Sequence, residues 1–199
     1  MKIFNEITKT NLEEIVKILD NDGLIIFPTD TVYGIACNAF SDNAIKKLFQ
    51  AKNRSFDNPI GILTDSISKI DLVVKNMNKI EQDLINKYLP GNLTIIFNKK
   101  DNVSNLLTAN KNTIGVRIPN NEIALKILEV YPFPLATTSV NISHYKAGTE
   151  LNDFLETFKD KVDIIVDGGK TTSTPSTIVQ VIDNKITILR EGDLKITEK

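Results

Sequence analysis

The chain has 199 residues, 41% of them hydrophobic, and a formal net charge of -1. That length suits one domain burying roughly 70% of its unfolded surface, and the near-neutral charge excludes a non-specific nucleic-acid coat, which needs clustered cations, though not a local basic hollow. Lone Cys37 excludes an internal disulfide and a cysteine metal cluster, lone His144 excludes a multi-histidine zinc site, and the scarcity of thiols points to a reducing, cytoplasmic setting.

The opening stretch MKIFNEITKTNLEEI lacks the apolar core of a secretory signal, and no apolar run approaches the ~20 residues that cross a bilayer, so the chain reads as soluble with no membrane partner. Leu12, Ile15, Val16 and Leu19 share one helical face over 11–21, with Asn11 as the expected cap and Gly23 as the stop. GLIIFP at 23–28 has the pattern of a strand covered on both faces. It delivers Thr29, Asp30 and Thr31 at its carboxyl end, the end that ligands favour in open sheets. Ser41 begins a helix through about Ala51 with Ile45, Leu48 and Phe49 inward, and KNRSFDNP then breaks into a loop fixed by Pro59.

Further strand patterns fall at 60–64, 93–97, 114–118, 134–138, 162–166, 177–181 and 186–190, and helical ones near 67–75, 79–88, 120–130 and 150–159. This interleaving predicts an α/β or α+β fold with a mixed sheet flanked by helices. With no internal repeat, low-complexity tract or long linker, residues 1–199 are expected to form one domain. The segment DGGKTTSTPS at 167–176 reads as a flexible surface loop, with a polarity that also suits a lid over phosphates.

Only three arginines, Arg54, Arg117 and Arg190, stand against twenty-one lysines, each at the end of a helix-like or strand-like run. A guanidinium offers a planar fork that grips phosphate or carboxylate at two points, so this placement suggests an anion site beside the ordinary surface role. The P-loop, GxGxxG and nucleophile-elbow motifs are all missing. Cys37 in GIACNAF reads as a buried inert thiol, His144 in SHYKAG as exposed, and no serine or threonine comes with an identifiable base. Hydroxyls, amides and cations remain, the kit of a site that positions anions and stabilises charge without bonding to its substrate.

Four segments concentrate that kit: PTDTVYG at 28–34, KNRSFDNP at 52–59, TIGVRIP at 113–119, and TTSVNIS at 137–143 together with PSTIVQV at 175–181. With PGNLTIIF at 90–97 and the closing LREG at 189–192, this ordered set resembles the YrdC-like threonylcarbamoyl-AMP synthase family from about Gly23 to Gly192. The resemblance implies a YrdC/RibB-like fold and a nucleotidyltransferase that joins L-threonine, bicarbonate and ATP into threonylcarbamoyl-adenylate with release of pyrophosphate. It also implies magnesium accompanying the ATP, a downstream tRNA threonylcarbamoyl transferase complex as partner, and a weak RNA contact. By motif position, Lys52 and Arg54 are expected at the catalytic phosphates, with Asn58, Ser139, Asn141 and Arg190 as further ATP contacts. Thr31, Arg117, Thr137 and Ser176 map to the threonine pocket, where Arg117 suits two-point pairing with the carboxylate.

Thr29, Asp30 and Tyr33 are equally read as shaping the turn after the first strand. Two departures stand out. Leu63 occupies a place where one branch of the family has histidine, and Ser143 and His144 follow S-x-N where serine and a backbone-permissive glycine are common. Two other functions fit weaker versions of the resemblance: a non-catalytic YrdC-like module binding RNA or assisting ribosome assembly, and carbamoyl transfer in metal-centre maturation, for which 199 residues leave no room for additional domains.

Overall fold

Short apolar runs bounded by turn residues become strands here, and longer amphipathic stretches become helices. The computed structural model describes residues 1–142, 147–172 and 174–196. Among these, ten strands form one mixed sheet: β1 (Lys2–Phe4), β2 (Ile25–Phe27), β3 (Gly34–Asn38), β4 (Gly61–Leu63), β5 (Leu93–Asn98), β6 (Thr113–Arg117), β7 (Leu135–Ser139), β8 (Ile164–Val166), β9 (Thr177–Ile182) and β10 (Lys185–Arg190). Their spatial order is β1-β8-β2-β3-β7-β4-β6-β5-β9-β10. The helices are α1 (Lys9–Asp20), α2 (Asp42–Ala51), α3 (Ile67–Ile70), α4 (Lys79–Tyr88), α5 (Glu122–Val130) and α6 (Leu155–Phe158), the last preceded by a 3-10 turn at Leu151–Asp153. Among the described residues no helix is long and apolar enough to cross a membrane.

Side chains alternate between the two faces of a strand, so neighbouring residues enter different cores. On one face Ile26, Ile35, Cys37, Ile62, Val116, Ile95 and Ala136 join a large cluster that also takes Ile45, Leu48 and Phe49 of α2 and Leu84 and Ile85 of α4. On the other face Ile25, Phe27, Ala36, Leu63, Leu135, Ile164 and Val166 pack against Ile15 and Leu19 of α1 and Ala124, Ile127 and Leu128 of α5. That second cover is partial. Two residues along the same strands from Ala36, Leu63 and Leu135 stand Gly34, Gly61 and Thr137, and small or hydroxylated residues continue across the sheet as Gly115 and Thr94. The helices leave this half of the face open.

Several expected boundaries are corrected. α1 is capped by Thr8, whose Oγ1 accepts the Asn11 N–H at 3.2 Å, and it ends at Asp20. β1 and β3 carry no strand expectation: β1 is a short, mostly exposed edge, and Gly34 and Ala36 are poor strand formers that become β structure through pairing with β2 and β7. The helix expected over 67–75 stops at Ile70, after which Val74 bridges to Lys99. The one expected over 150–159 is a 3-10 turn followed by one short helix.

Candidate functional site

The open half of the sheet face is the floor of a cavity of about 370 Å³. Its wall includes Thr29, Thr31, Gly34, Gly61, Leu63, Thr94, Gly115, Thr137, Ser139 and Ser176 together with Arg54, Arg117 and Arg190. The three arginines, 63 or more residues apart in sequence, therefore face one hollow. Strand geometry brings them there: Arg117 ends β6, Arg190 ends β10, and Arg54 follows α2 on the loop leading to β4. Glycine matters on the floor at Gly34, where a Cβ would come within 2.8 Å of Thr137 Cγ2.

Each guanidinium is aimed by oxygen acceptors. Arg54 donates from Nε to the Asn58 carbonyl at 3.0 Å and from Nη2 to the Pro59 carbonyl at 2.9 Å. Arg190 donates from Nε and Nη2 to the Ser176 carbonyl at 3.1 and 2.8 Å, and from Nη2 to Ser176 Oγ at 3.2 Å, while Ser176 Oγ shares a 2.8 Å bond with Thr94 Oγ1. Arg117, only 6% exposed, donates to the Gly91 carbonyl at 2.9 Å, to Thr31 Oγ1 at 2.9 Å and to Asn92 Oδ1 at 3.0 Å, and forms an ion pair with Asp30. Burial lowers the pKa of all three, and Asp30 partly offsets this at Arg117. Arg117 and Arg190 also repel one another, a further reason the Arg190 value falls.

The turn after β2 is built by its own hydroxyls. Thr29 Oγ1 donates to the Val32 carbonyl at 2.7 Å, accepts the Thr31 N–H at 3.1 Å and lies 3.0 Å from Thr31 Oγ1. Tyr33 is fully buried, with its ring 5.0 Å from that of Phe154. Its hydroxyl accepts the Gly168 N–H at 3.0 Å and donates to the Gly169 carbonyl at 2.7 Å, and burial pushes its pKa up to about 12. Thr172 Oγ1 reaches the Thr31 carbonyl at 2.6 Å. The 167–176 segment is thus stitched to the β2 turn in its described part, and its Pro175 and Ser176 stand in the cavity wall. Ser173 lies outside the described residues, as do Ser143 and His144.

Lys52 is 1% exposed and stands behind the wall rather than in it. Its Nζ donates to Thr138 Oγ1 at 3.2 Å, to Asn141 Oδ1 at 3.1 Å and to the Ser139 carbonyl. Ser139 Oγ also reaches Asn141 Oδ1, at 2.7 Å. No carboxylate balances this ammonium in that set; burial, and then the charge of Arg54, lower its pKa to about 7. Asn58 offers its carbonyl to Arg54, while its side chain is exposed and outside the wall. Cys37 is fully buried and burial raises its thiol pKa, so it is no nucleophile. Of the expected site residues, Arg54, Ser139, Arg190, Thr31, Arg117, Thr137 and Ser176 meet at the cavity, and Lys52, Asn58 and Asn141 support it from outside. Thr94, Gly61, Gly115 and Ile178 also line it without having been expected. Their signal was position on one sheet face, which requires the strand order.

The chain is thus an α/β domain that presents three aimed guanidinium groups and a row of hydroxyls over an open sheet face. The Sua5/YciO/YrdC family model, described as telomere recombination, matches residues 17–192, and the chain belongs to that family. It is 36% identical over 176 residues to the threonylcarbamoyl-AMP synthase of Pyrococcus abyssi, a match covering 88% of this chain and 52% of that protein. It is 37% identical over 189 residues to a putative threonylcarbamoyl-AMP synthase of Methanocaldococcus jannaschii, covering 94% of this chain and 88% of that one. The chain therefore spans about half of the Pyrococcus relative and most of the Methanocaldococcus one. The crystal structure of P. abyssi Sua5 complexed with L-threonine superposes with a TM-score of 0.92 at 32% identity, covering 98% of this chain and 57% of that one. E. coli YciO shares the fold, with a TM-score of 0.86 at 23% identity, covering 96% of this chain and 93% of that one.

Proposed function

We propose that this chain is an L-threonylcarbamoyladenylate synthase, condensing L-threonine, bicarbonate and ATP with release of pyrophosphate. The observation that carries the reading is the convergence of Arg54, Arg117 and Arg190 on one cavity whose wall, among the described residues, offers hydroxyls and no thiol or histidine. The similarity to proteins named for this activity supports it.

The substrate supplies the nucleophile. The threonine ammonium and bicarbonate combine to a carbamate, water and a proton. A carbamate oxygen then bonds to the α-phosphorus as the bond from that phosphorus to the β-bridging oxygen breaks, and pyrophosphate leaves. The protein's part is to align the partners and to neutralise the phosphates. In this reading Arg54, Arg190 and Ser139 hold the triphosphate, with Asn58 and Asn141 fixing Arg54 and Ser139 and with Lys52 adding positive charge from behind. Arg117, Thr31, Thr137 and Ser176 hold threonine, with Leu63 beside them where histidine is absent.

Magnesium is proposed as a companion of the ATP. Among the described residues no three His, Cys, Asp or Glu side chains gather as a resident metal site needs, and Asp30 is committed to Arg117. The residues present do not build a protein-held site, and the ion would be carried by phosphate oxygens and water. The product would serve a tRNA threonylcarbamoyl transferase complex in the cytoplasm. The test is pyrophosphate release by purified protein: dependence on both threonine and bicarbonate supports the reading, and ATP turnover indifferent to threonine rejects it.

A further inference from the structure

Asp30 has no part in the reaction as described above and does not stand in the cavity wall. It lies behind Arg117, with its side chain 14% exposed, and pairs with Nη2. A guanidinium has five N–H donors in a fixed plane. Among the described residues, Nε is taken by the Gly91 carbonyl, Nη2 by Asp30 and Asn92, and one Nη1 hydrogen by Thr31 Oγ1. One Nη1 hydrogen is left over. Arg117 therefore cannot offer a two-point fork to a carboxylate while this arrangement persists.

Resting on the proposed threonine site, we propose that Asp30 is a positioning residue that, with Asn92 and the Gly91 carbonyl, clamps Arg117 in one orientation, so that a single Nη1 edge meets the amino-acid substrate. The second donor to the carboxylate then comes from neighbouring hydroxyls on the wall, such as Ser176. A one-point cation beside fixed hydroxyls reads the stereochemistry of the ligand, whereas a freely turning fork would follow any carboxylate. Asp30 also supplies the counter-charge for a cation that is almost fully withdrawn from water. Asn92 extends the clamp: its carbonyl accepts the Thr177 N–H at 3.0 Å, which ties the Arg117 support to the segment carrying Ser176.

The experiment compares wild type, Asp30→Asn and Asp30→Glu in the full chain. Calorimetry gives affinities for L-threonine and L-allothreonine, and nuclear magnetic resonance gives the exchange rate of the Arg117 Nε–H. In Asp30→Asn, L-threonine is expected to bind about tenfold more weakly, the scale of one hydrogen bond to a charged group. The affinity ratio of the two stereoisomers is expected to move towards one and the Nε–H to exchange faster, with Asp30→Glu restoring part of both. An unchanged ratio with a protected Nε–H overturns the clamp, and so does a lowered melting temperature with the ratio retained. If wild type binds neither amino acid the proposed reaction fails, and the exchange rate alone then upholds or overturns the clamp. Should Asp30→Asn not fold, Asn92→Ala, which removes a neutral member of the clamp, is read by the same two measurements: a ratio moved towards one with faster Nε–H exchange upholds the clamp, and both unchanged overturns it.

Discussion

At one end of the cavity Arg117 is nearly sealed from water, ion-paired to Asp30 and held by three further acceptors, while at the other Arg54 is half-buried and steered by two neutral carbonyls. Burial lowers the pKa at both, but only at Arg117 does a carboxylate push back. Arg117 is clamped with its counter-charge beside it, and the Arg190 guanidinium lies close enough to repel it; Arg54 has no carboxylate partner among the described residues, and the Lys52 ammonium lies within reach of its charge. A small zwitterion suits the first end and a polyphosphate the second.

The largest expected effect breaks the ion pair at Arg117. Arg117→Ala leaves Asp30 partly buried without its cation, which should lower unfolding free energy by about 3 kcal/mol and weaken threonine binding. Chemical denaturation and calorimetry measure the two, and a variant as stable as wild type would mean that the pair holds nothing together. Arg54→Ala should instead weaken ATP binding by about 1.5 to 3 kcal/mol and leave stability within about 0.5 kcal/mol, because its acceptors are exposed carbonyls that water can satisfy. Equal stability losses in the two variants would erase the contrast between the ends.

The smallest effect is a pH dependence at the Arg54 end. Lys52 has a folded-state pKa of about 7, below the ordinary lysine value near ~10.4. Between these values the unfolded chain holds more protons, so this group's contribution to stability without ligand rises with pH across that window. Bound phosphates favour the protonated amine, so ATP should take up a proton on binding near pH 8. Its affinity should then fall above pH 7 by at most about tenfold per pH unit. Calorimetry in two buffers of different ionisation enthalpy reads the proton directly. Lys52→Arg, charged throughout, should flatten the profile; a profile that keeps its slope in that variant would assign the proton elsewhere.

Much of this is legible in the sequence alone. The continuous apolar run Ile25–Phe27 reads as a buried strand and is one, because full burial on both faces leaves no alternation to misread. Arg54, Arg117 and Arg190 stand out by composition alone. Thr94, Gly61 and Gly115 do not, since an isolated threonine or glycine in a strand carries no mark of what it faces. Lys52 shows what motif position does not carry: its ammonium is buried on Thr138, Ser139 and Asn141, behind the cavity wall rather than in it.

The order of apolar and polar residues determined which segments become strands and helices, because period and turn chemistry are local properties of the chain. It also placed arginine where elements end. Only the tertiary structure decided that β3, β7, β4, β6, β5 and β9 lie side by side, and hence that residues from 29 to 190 share one wall. That order comes from pairing between distant strands. The same packing sets α1 and α5 over one half of a sheet face and leaves the other half bare, and burial beneath that bare half brings Lys52 to near-neutral titration and gives Arg117 its acid.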